Sequence, residues 1–314
     1  MLRKHVLLVA LLCGLLCRAA FAADVSPYFT LHDLGHGVWA AVAVAKSGAG
    51  SNAGFVVGPD GVLVVDTFED PAAASALLAA IRKTTAQPVR YVIDTHYHLD
   101  HVAGNNVFAR AGATILAQRN VRTWERVENL KFFGDKITPQ EKQMVASLGL
   151  PTLTYDDDVT LYLGDREIDV RVLRGHTGGD SAVIIPDANV VFTGDLFWNR
   201  TLPNLIDATT QDQIASNDAF VHDYPQAQFV PGHGEVGTAS DVRAFRDYLA
   251  ILRQAVTWAQ ASGKSGDALT ATVLQQLKGS FGAWAWFDHF APRNIEQTAA
   301  ELSGNKRVPA ADMP

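Results

Sequence analysis

Three imidazoles and one carboxylate fall within six residues in His96-Tyr97-His98-Leu99-Asp100-His101. Neutral imidazole and carboxylate together suit zinc and, less exclusively, iron. Alternate residues of an extended loop face the same way, so His96, His98 and Asp100 can converge on one point. His101 can turn toward a neighbouring point as the chain enters a helix. One loop cannot complete a two-metal site, so partners are needed elsewhere in the chain.

Three further loops supply them. Gly175-His176-Thr177-Gly178-Gly179-Asp180 presents His176, with glycines that permit a tight turn. Thr193-Gly194-Asp195-Leu196-Phe197 ends a strand on Asp195, and Pro231-Gly232-His233-Gly234 presents His233. The set His96, His98, Asp100, His101, His176, Asp195 and His233 is too large for one tetrahedral zinc and its surroundings. Two metals about 3.5–4 Å apart acidify a shared water and stabilise a developing oxyanion. Asp66 also closes an apolar strand. It is a loop residue, a helix cap, or a hydrogen-bond acceptor behind a metal-bound histidine. Arg200, just beyond Asp195, is either an exposed surface cation or a partner for an anionic substrate group.

The elements that position these loops follow from the pattern of apolar residues. Val89 to Ile93 reads as a buried strand before the histidine cluster, and a helix is expected over 101–111. Two strand-like runs flank the turn Gly58-Pro59-Asp60-Gly61. A helix with proline in its first turn is expected over 71–83. Strand 168–173 precedes His176, and a hairpin over 182–192 precedes Asp195. Strands and helices alternate, which implies an α/β fold whose mixed sheet is covered by helices. The charged stretch 120–148 carries Trp124, Phe132 and Phe133 and is either a cover over the site or a surface helix. Val242, Phe245, Leu249, Leu252 and Val256 recur at helical spacing, a core-facing stripe. Beyond them lies an aromatic group, Phe281, Trp284, Trp286 and Phe287, which either packs or walls a substrate.

The first 22 residues combine a basic start, an apolar run too short to span a bilayer comfortably, and Ala20-Phe21-Ala22. They are expected to be a signal peptide cleaved after Ala22, which makes the mature protein periplasmic or secreted. Both cysteines, Cys13 and Cys17, lie in that leader, so the mature chain has no disulfide and no thiolate ligand. Its loss removes three basic residues and no acid, and the formal charge of −7 becomes −10. That balance argues against nucleic acid or anionic lipid as a partner and leaves a small-molecule substrate. Residues 23–238 are expected to form the catalytic domain, with a helical segment over 239–314 packed on it.

His-x-His-x-Asp-His, Gly-His-Thr-x-Gly, Thr-Gly-Asp-Leu-Phe and Pro-Gly-His-Gly, in that order, resemble the metallo-β-lactamase-fold superfamily. Aspartate at position 195, where class B β-lactamases often have cysteine, is closer to the glyoxalase II-like and SoxH-like ligand sets. The resemblance implies an αββα four-layer sandwich with the metal site along one edge. It implies one zinc on His96, His98 and His176, a second on Asp100, His101 and His233, and Asp195 bridging them. The function it implies is an exported dinuclear zinc hydrolase. A bridging hydroxide would attack the carbonyl of a small ester, thioester, lactone or lactam, and Asp100 would orient it and relay a proton. A β-lactamase proper, a mononuclear iron persulfide dioxygenase and a non-catalytic zinc-binding protein are the alternatives.

Overall fold

The computed structural model describes residues 26–309; the leader expected over residues 1–22 lies outside them. Seven strands form the first sheet in chain order: β1 (Phe29–Gly35), β2 (Val38–Ala43), β3 (Ala53–Val57), β4 (Val62–Val65), β5 (Val89–Asp94), β6 (Thr114–Gln118) and β7 (Leu153–Tyr155). The pairs from β1 to β4 are antiparallel, and those from β4 to β7 are parallel. The second sheet has the order β12-β11-β10-β9-β8, from β8 (Val159–Leu163), β9 (Arg166–Leu173), β10 (Asp180–Ile185), β11 (Val190–Trp198) and β12 (Gln228–His233). Only β11 and β12 run parallel there.

Period-two alternation divides the strands between layers. On β4, Leu63 and Val65 face the second sheet, where they meet Val183, Ile185 and Phe192, while Val64 faces outward. Outside the first sheet lie α1 (Pro71–Thr84), α2 (Leu99–Val102) and α3 (Asn105–Arg110). Leu77, Ile81 and Phe108 pack there on Phe55, Val64 and Val92. Helix α1 starts where Asp70 accepts from Ala72 N at 2.8 Å, with Pro71 in its first turn.

The second sheet is covered by α6 (Thr210–Asp223), α7 (Ala239–Ala261), α8 (Gly266–Phe281) and α9 (Phe287–Leu302), numbered after α4 (Arg119–Trp124) and α5 (Pro139–Ala146). The stripe from Val242 to Val256 on α7 is buried in one cluster with Val191, Phe229 and Phe197. Helices on both faces of two stacked sheets make an αββα sandwich. With every sheet face covered, strands such as β4 and β10 carry near-continuous apolar runs.

The helix expected over 101–111 is divided into α2 and α3. A Cβ at Gly104 would lie 2.1 Å from the Thr67 carbonyl oxygen. That close approach brings the chain after β4 against the histidine loop, and Thr67 N bonds the His101 carbonyl at 2.7 Å. Asn105 fills the break by donating to Asp94 Oδ2 and Gly149 O and accepting from Thr67 Oγ1.

Behind this loop, Asp94 shares its surroundings with Glu125, whose two carboxylate oxygens are buried without a hydrogen-bond partner. Burial pushes Glu125 up to about 8 from an ordinary 4.5. At low pH the folded and unfolded chains both hold the proton, and no penalty arises. As pH rises from about 4.5 toward 8 the unfolded chain ionises first, so stability falls across that window, by a few kcal/mol in all. Glu125→Gln carries no such charge. Melting curves should show the variant gaining on the unmodified protein as pH rises from about 5 to 8; a constant difference would contradict this.

Candidate metal centre

The strand ends gather the site. His96 and His98 follow β5, and Asp100 and His101 lie in α2. His176 occupies the β9–β10 turn, while Asp195 and His233 sit within β11 and at the end of β12. Asp195 needs room that only glycine leaves at the neighbouring strand: a Cβ on Gly232 would lie 1.8 Å from Asp195 Oδ1. This is a spatial reason for the Pro-Gly-His-Gly sequence.

The seven side chains form two groups. One ligand atom from each of His96, His98, His176 and Asp195 lies within 4.8 Å of the others, and the same holds for Asp100, His101 and His233. Asp195 spans both: Oδ2 is 3.2 Å from His176 Nε2 and 3.8 Å from His96 Nε2, while Oδ1 is 3.1 Å from His101 Nε2 and 3.5 Å from His233 Nε2. His233 Nε2 is also 3.2 Å from Asp100 Oδ2.

Contacts behind two of the rings decide which nitrogen faces the centre. His101 Nδ1 donates to Asp66 Oδ2 at 2.8 Å, which leaves Nε2 a lone pair. Asp66 also accepts from Thr95 N and Thr95 Oγ1, both at 2.8 Å, and of the three roles its position allowed it takes that of an acceptor behind a histidine. It does so with φ 57°, a left-handed conformation that aspartate tolerates better than most residues. His98 is turned the other way. Its Nε2 donates to Asp207 Oδ2 at 3.0 Å, and its Nδ1 lies 3.0 Å from His176 Nε2.

The pattern of unpartnered atoms fits metal. His96 Nε2, His101 Nε2, His233 Nε2 and Asp195 Oδ1 are buried without hydrogen bonds. Buried lone pairs converging at such distances are unfavourable unless a cation lies among them. His96, His98, His176 and Asp195 would hold one ion, and Asp100, His101, His233 and Asp195 the other.

Without metal, the charges sort themselves. Burial, reinforced by His101, holds His96 well below the ordinary imidazole range, and burial takes His176 down to about 3. Burial also disfavours charge on His233 and His101, but Asp195 and Asp100 outweigh it. They bring His233 up to about 9 and raise His101 well above the usual range. Asp100 falls to about 2: burial opposes its ionisation, but His101 and His233 prevail. Cation binding would displace the protons on His101 and His233, so affinity weakens as pH falls.

The outer contacts include residues that carry no motif. Asp207 accepts from His98 on one side and from Lys131 Nζ (2.6 Å) and the Tyr97 hydroxyl on the other. Asn52 spans the sheets by donating to Pro231 O at 2.9 Å and Gly234 O at 2.8 Å, and Ser51 Oγ donates to Asp100 O at 2.6 Å. Sequence reasoning missed all five of these residues. The partners are distant in sequence, and only the pairing of buried polar side chains reveals them.

A cavity of about 710 Å³ opens onto His98, Asp100, Asp195 and His233. Phe132 and Phe133 of the 120–148 stretch line it, as do Trp198, Trp286 and Phe290. Arg200 does not line it. Its φ of 50° turns the side chain out beside Asp241 at 3.9 Å, with 73 % of it exposed, so the structure does not bring it to the site as a substrate partner.

Because Asp207 fixes both the proton and the ring of His98, Asp207→Ala should weaken zinc binding by about 10–100-fold while leaving the fold intact. Asp207→Asn, which keeps an acceptor without the charge, should fall between. Competition with a chromogenic chelator measures this, and equal affinity in all three proteins would rule out the role.

The Metallo-beta-lactamase superfamily profile matches residues 47–247. Among curated relatives, the linear primary-alkylsulfatase of a Pseudomonas species is 22% identical over 176 residues, 47% of this chain and 33% of that protein. The acyl-coenzyme A thioesterase MBLAC2 of Bos taurus is 24% identical over 191 residues, 56% of this chain and 68% of that protein. The chain thus spans a third of the first relative's length and about two thirds of the second's. A metallo-beta-lactamase from Pontibacter korlensis superposes with a TM-score of 0.59 at 22% identity, covering 71% of this chain and 99% of that one. The profile match covers well over half of the sequence and the sandwich is shared, so the chain belongs to the metallo-β-lactamase superfamily.

Proposed function

We propose that the protein is an exported hydrolase of small acyl substrates, whether esters, thioesters, lactones or lactams, that works with two zinc ions. The observation that carries this reading is the pair of ligand groups sharing Asp195, with unpartnered nitrogens and a carboxylate oxygen turned inward. A thioesterase among the relatives supports the acyl class, and the leader sequence supports export. Zinc bound at such a site supplies Lewis acidity and makes water a nucleophile near neutral pH.

The chain's own residues do the rest. Asp195 is 2 % exposed and buttressed through its backbone, whose carbonyl accepts from Gln213 Nε2 at 3.0 Å. It is a fixed spacer. Asp100 is 28 % exposed and lines the cavity, which supports a role for its carboxylate in passing a proton between cluster and substrate. Trp198 lies on the His233 ring with centroids 3.8 Å apart and shields that side of the site from water. A cavity of about 710 Å³ is the size of a small-molecule site.

The test is metal content measured beside turnover on an acyl panel. About two zinc ions per chain, with hydrolysis abolished by a chelator and restored by zinc, is the expected result. One iron per chain with oxygen consumption on a persulfide would overturn the reading.

Asp195→Asn refines it. The amide keeps the shape but loses the charge and weakens an oxygen ligand. Zinc content should drop to about one per chain, because the His96, His98 and His176 group retains three neutral nitrogens. Turnover should fall by orders of magnitude with unchanged circular dichroism. Two tightly held zincs and full turnover would mean that Asp195 does not bridge.

A further inference from the structure

Scattered exposed apolar side chains are ordinary on a protein surface, but three here converge on one cavity from separate segments. Val44 comes from the β2–β3 loop, Phe132 from the stretch before α5, and Trp286 from the α8–α9 connection; all three line the cavity and are 40–47 % exposed. Phe132 lies edge-on to His98, centroids 5.1 Å apart, and Trp286 lies edge-on to His233 at 5.5 Å. One exposed ring therefore stands beside each ligand group.

Both rings are held there. Lys131 Nζ sits 5.5 Å from the Phe132 centroid while bound at 2.6 Å to Asp207, the residue that secures His98. Trp286 has φ 61° and ψ 17°, a left-handed conformation that a bulky residue rarely adopts. The chain before it is stitched to the exit of β11: Ala285 N donates to Arg200 O at 3.0 Å and Leu202 N to Ala285 O at 2.9 Å. A strained backbone maintained by such bonds, and presenting an exposed aromatic ring to a cavity, points to a use for the ring.

The charges narrow the class. Lys46 is the single Lys or Arg among the described residues lining the cavity, beside the acids Glu69 and Asp100. Such a rim does not grip a polyanionic carrier.

We infer that Phe132 and Trp286 form an aromatic clamp that selects acyl substrates bearing a planar, apolar ring. This rests on the acyl-hydrolase reading above and names the substrate class of the same site. The clamp acts through contact area and ring stacking with the substrate, and Val44 closes its third side.

The experiment compares the zinc-loaded unmodified protein with Phe132→Ala, Trp286→Gly and Trp286→Phe. The first readout is the ratio of kcat/KM for a phenylacetyl ester to that for the matching acetyl ester. It should fall about tenfold in Phe132→Ala and in Trp286→Gly, chiefly through KM, and recover in Trp286→Phe. Glycine accepts the left-handed backbone, so the Tm of Trp286→Gly should hold or rise. The second readout is calorimetric binding of 2-naphthoate, which needs no turnover and should weaken in both ring-deleted proteins. If no ester is cleaved, the hydrolase reading fails, while naphthoate binding still decides the clamp. An unchanged ratio, unchanged naphthoate affinity, or a lowered Tm with the ratio intact would overturn the clamp and leave the rings with a packing role.

Discussion

A knot of buried lone pairs organises this protein. His96, His98, His101, His176, His233 and Asp195 are all nearly inaccessible, and their inward nitrogens and oxygens lie about 3–4 Å apart. Such a cluster repels itself unless protons or cations lie within it. Three of the five rings are secured from behind. Asp66 accepts a hydrogen bond from one ring, Asp207 from another, and Thr95 Oγ1 lies 3.1 Å from His96 Nδ1. Each of these contacts fixes a ring's orientation before any ion arrives, which keeps the reorganisation on binding small.

Charge balance follows from the same arrangement. Four carboxylates, Asp66, Asp100, Asp195 and Asp207, touch the histidines of the two groups. Two divalent ions would bring four positive charges, and alone the four acids would cancel them. Lys131 pairs with Asp207 at 2.6 Å and with Glu128 at 3.4 Å, so its charge is shared between two acids. The ion pair is also largely buried, where a charge retains more of its influence than it would in water.

Much of this was legible in the sequence, for a physical reason. His96, His176, Asp195 and His233 each sit at or near a strand end with its own local signature, so they could be read singly and then counted together. Period-two and helical apolar patterns located β4, β5, β9 and α7 for the same reason: burial on a known period is a local property. Asp207 and Lys131 have no such signature, since their meaning lies in each other and in His98, 109 residues from Asp207. The division of the helix expected over 101–111 was hidden because it goes with the close approach of Thr67, far away in the chain, to Gly104. Arg200 shows the opposite limit. Proximity to Asp195 in sequence suggested proximity in space, and a single left-handed residue turned the side chain away.

The two aromatic stretches divide along the same line. Phe281 and Phe287 are buried in the core under α7, whereas Trp286, between them and one residue from Phe287, lines the cavity. Trp124 is buried near Tyr97, with ring centroids 5.7 Å apart, whereas Phe132 from the same insert overlooks His98. In each stretch one aromatic fixes the segment to the fold and another is left standing over the metal cluster. The sandwich supplies the ligands, and segments appended to it supply the walls. The anchors and the exposed rings of these walls are different residues. Here the link between walls and ligands is Lys131, which joins Phe132 to Asp207 and so to His98. A change in how the cavity is closed would reach the His98 ring through three contacts, which couples the walls of the cavity to the geometry of the histidine cluster.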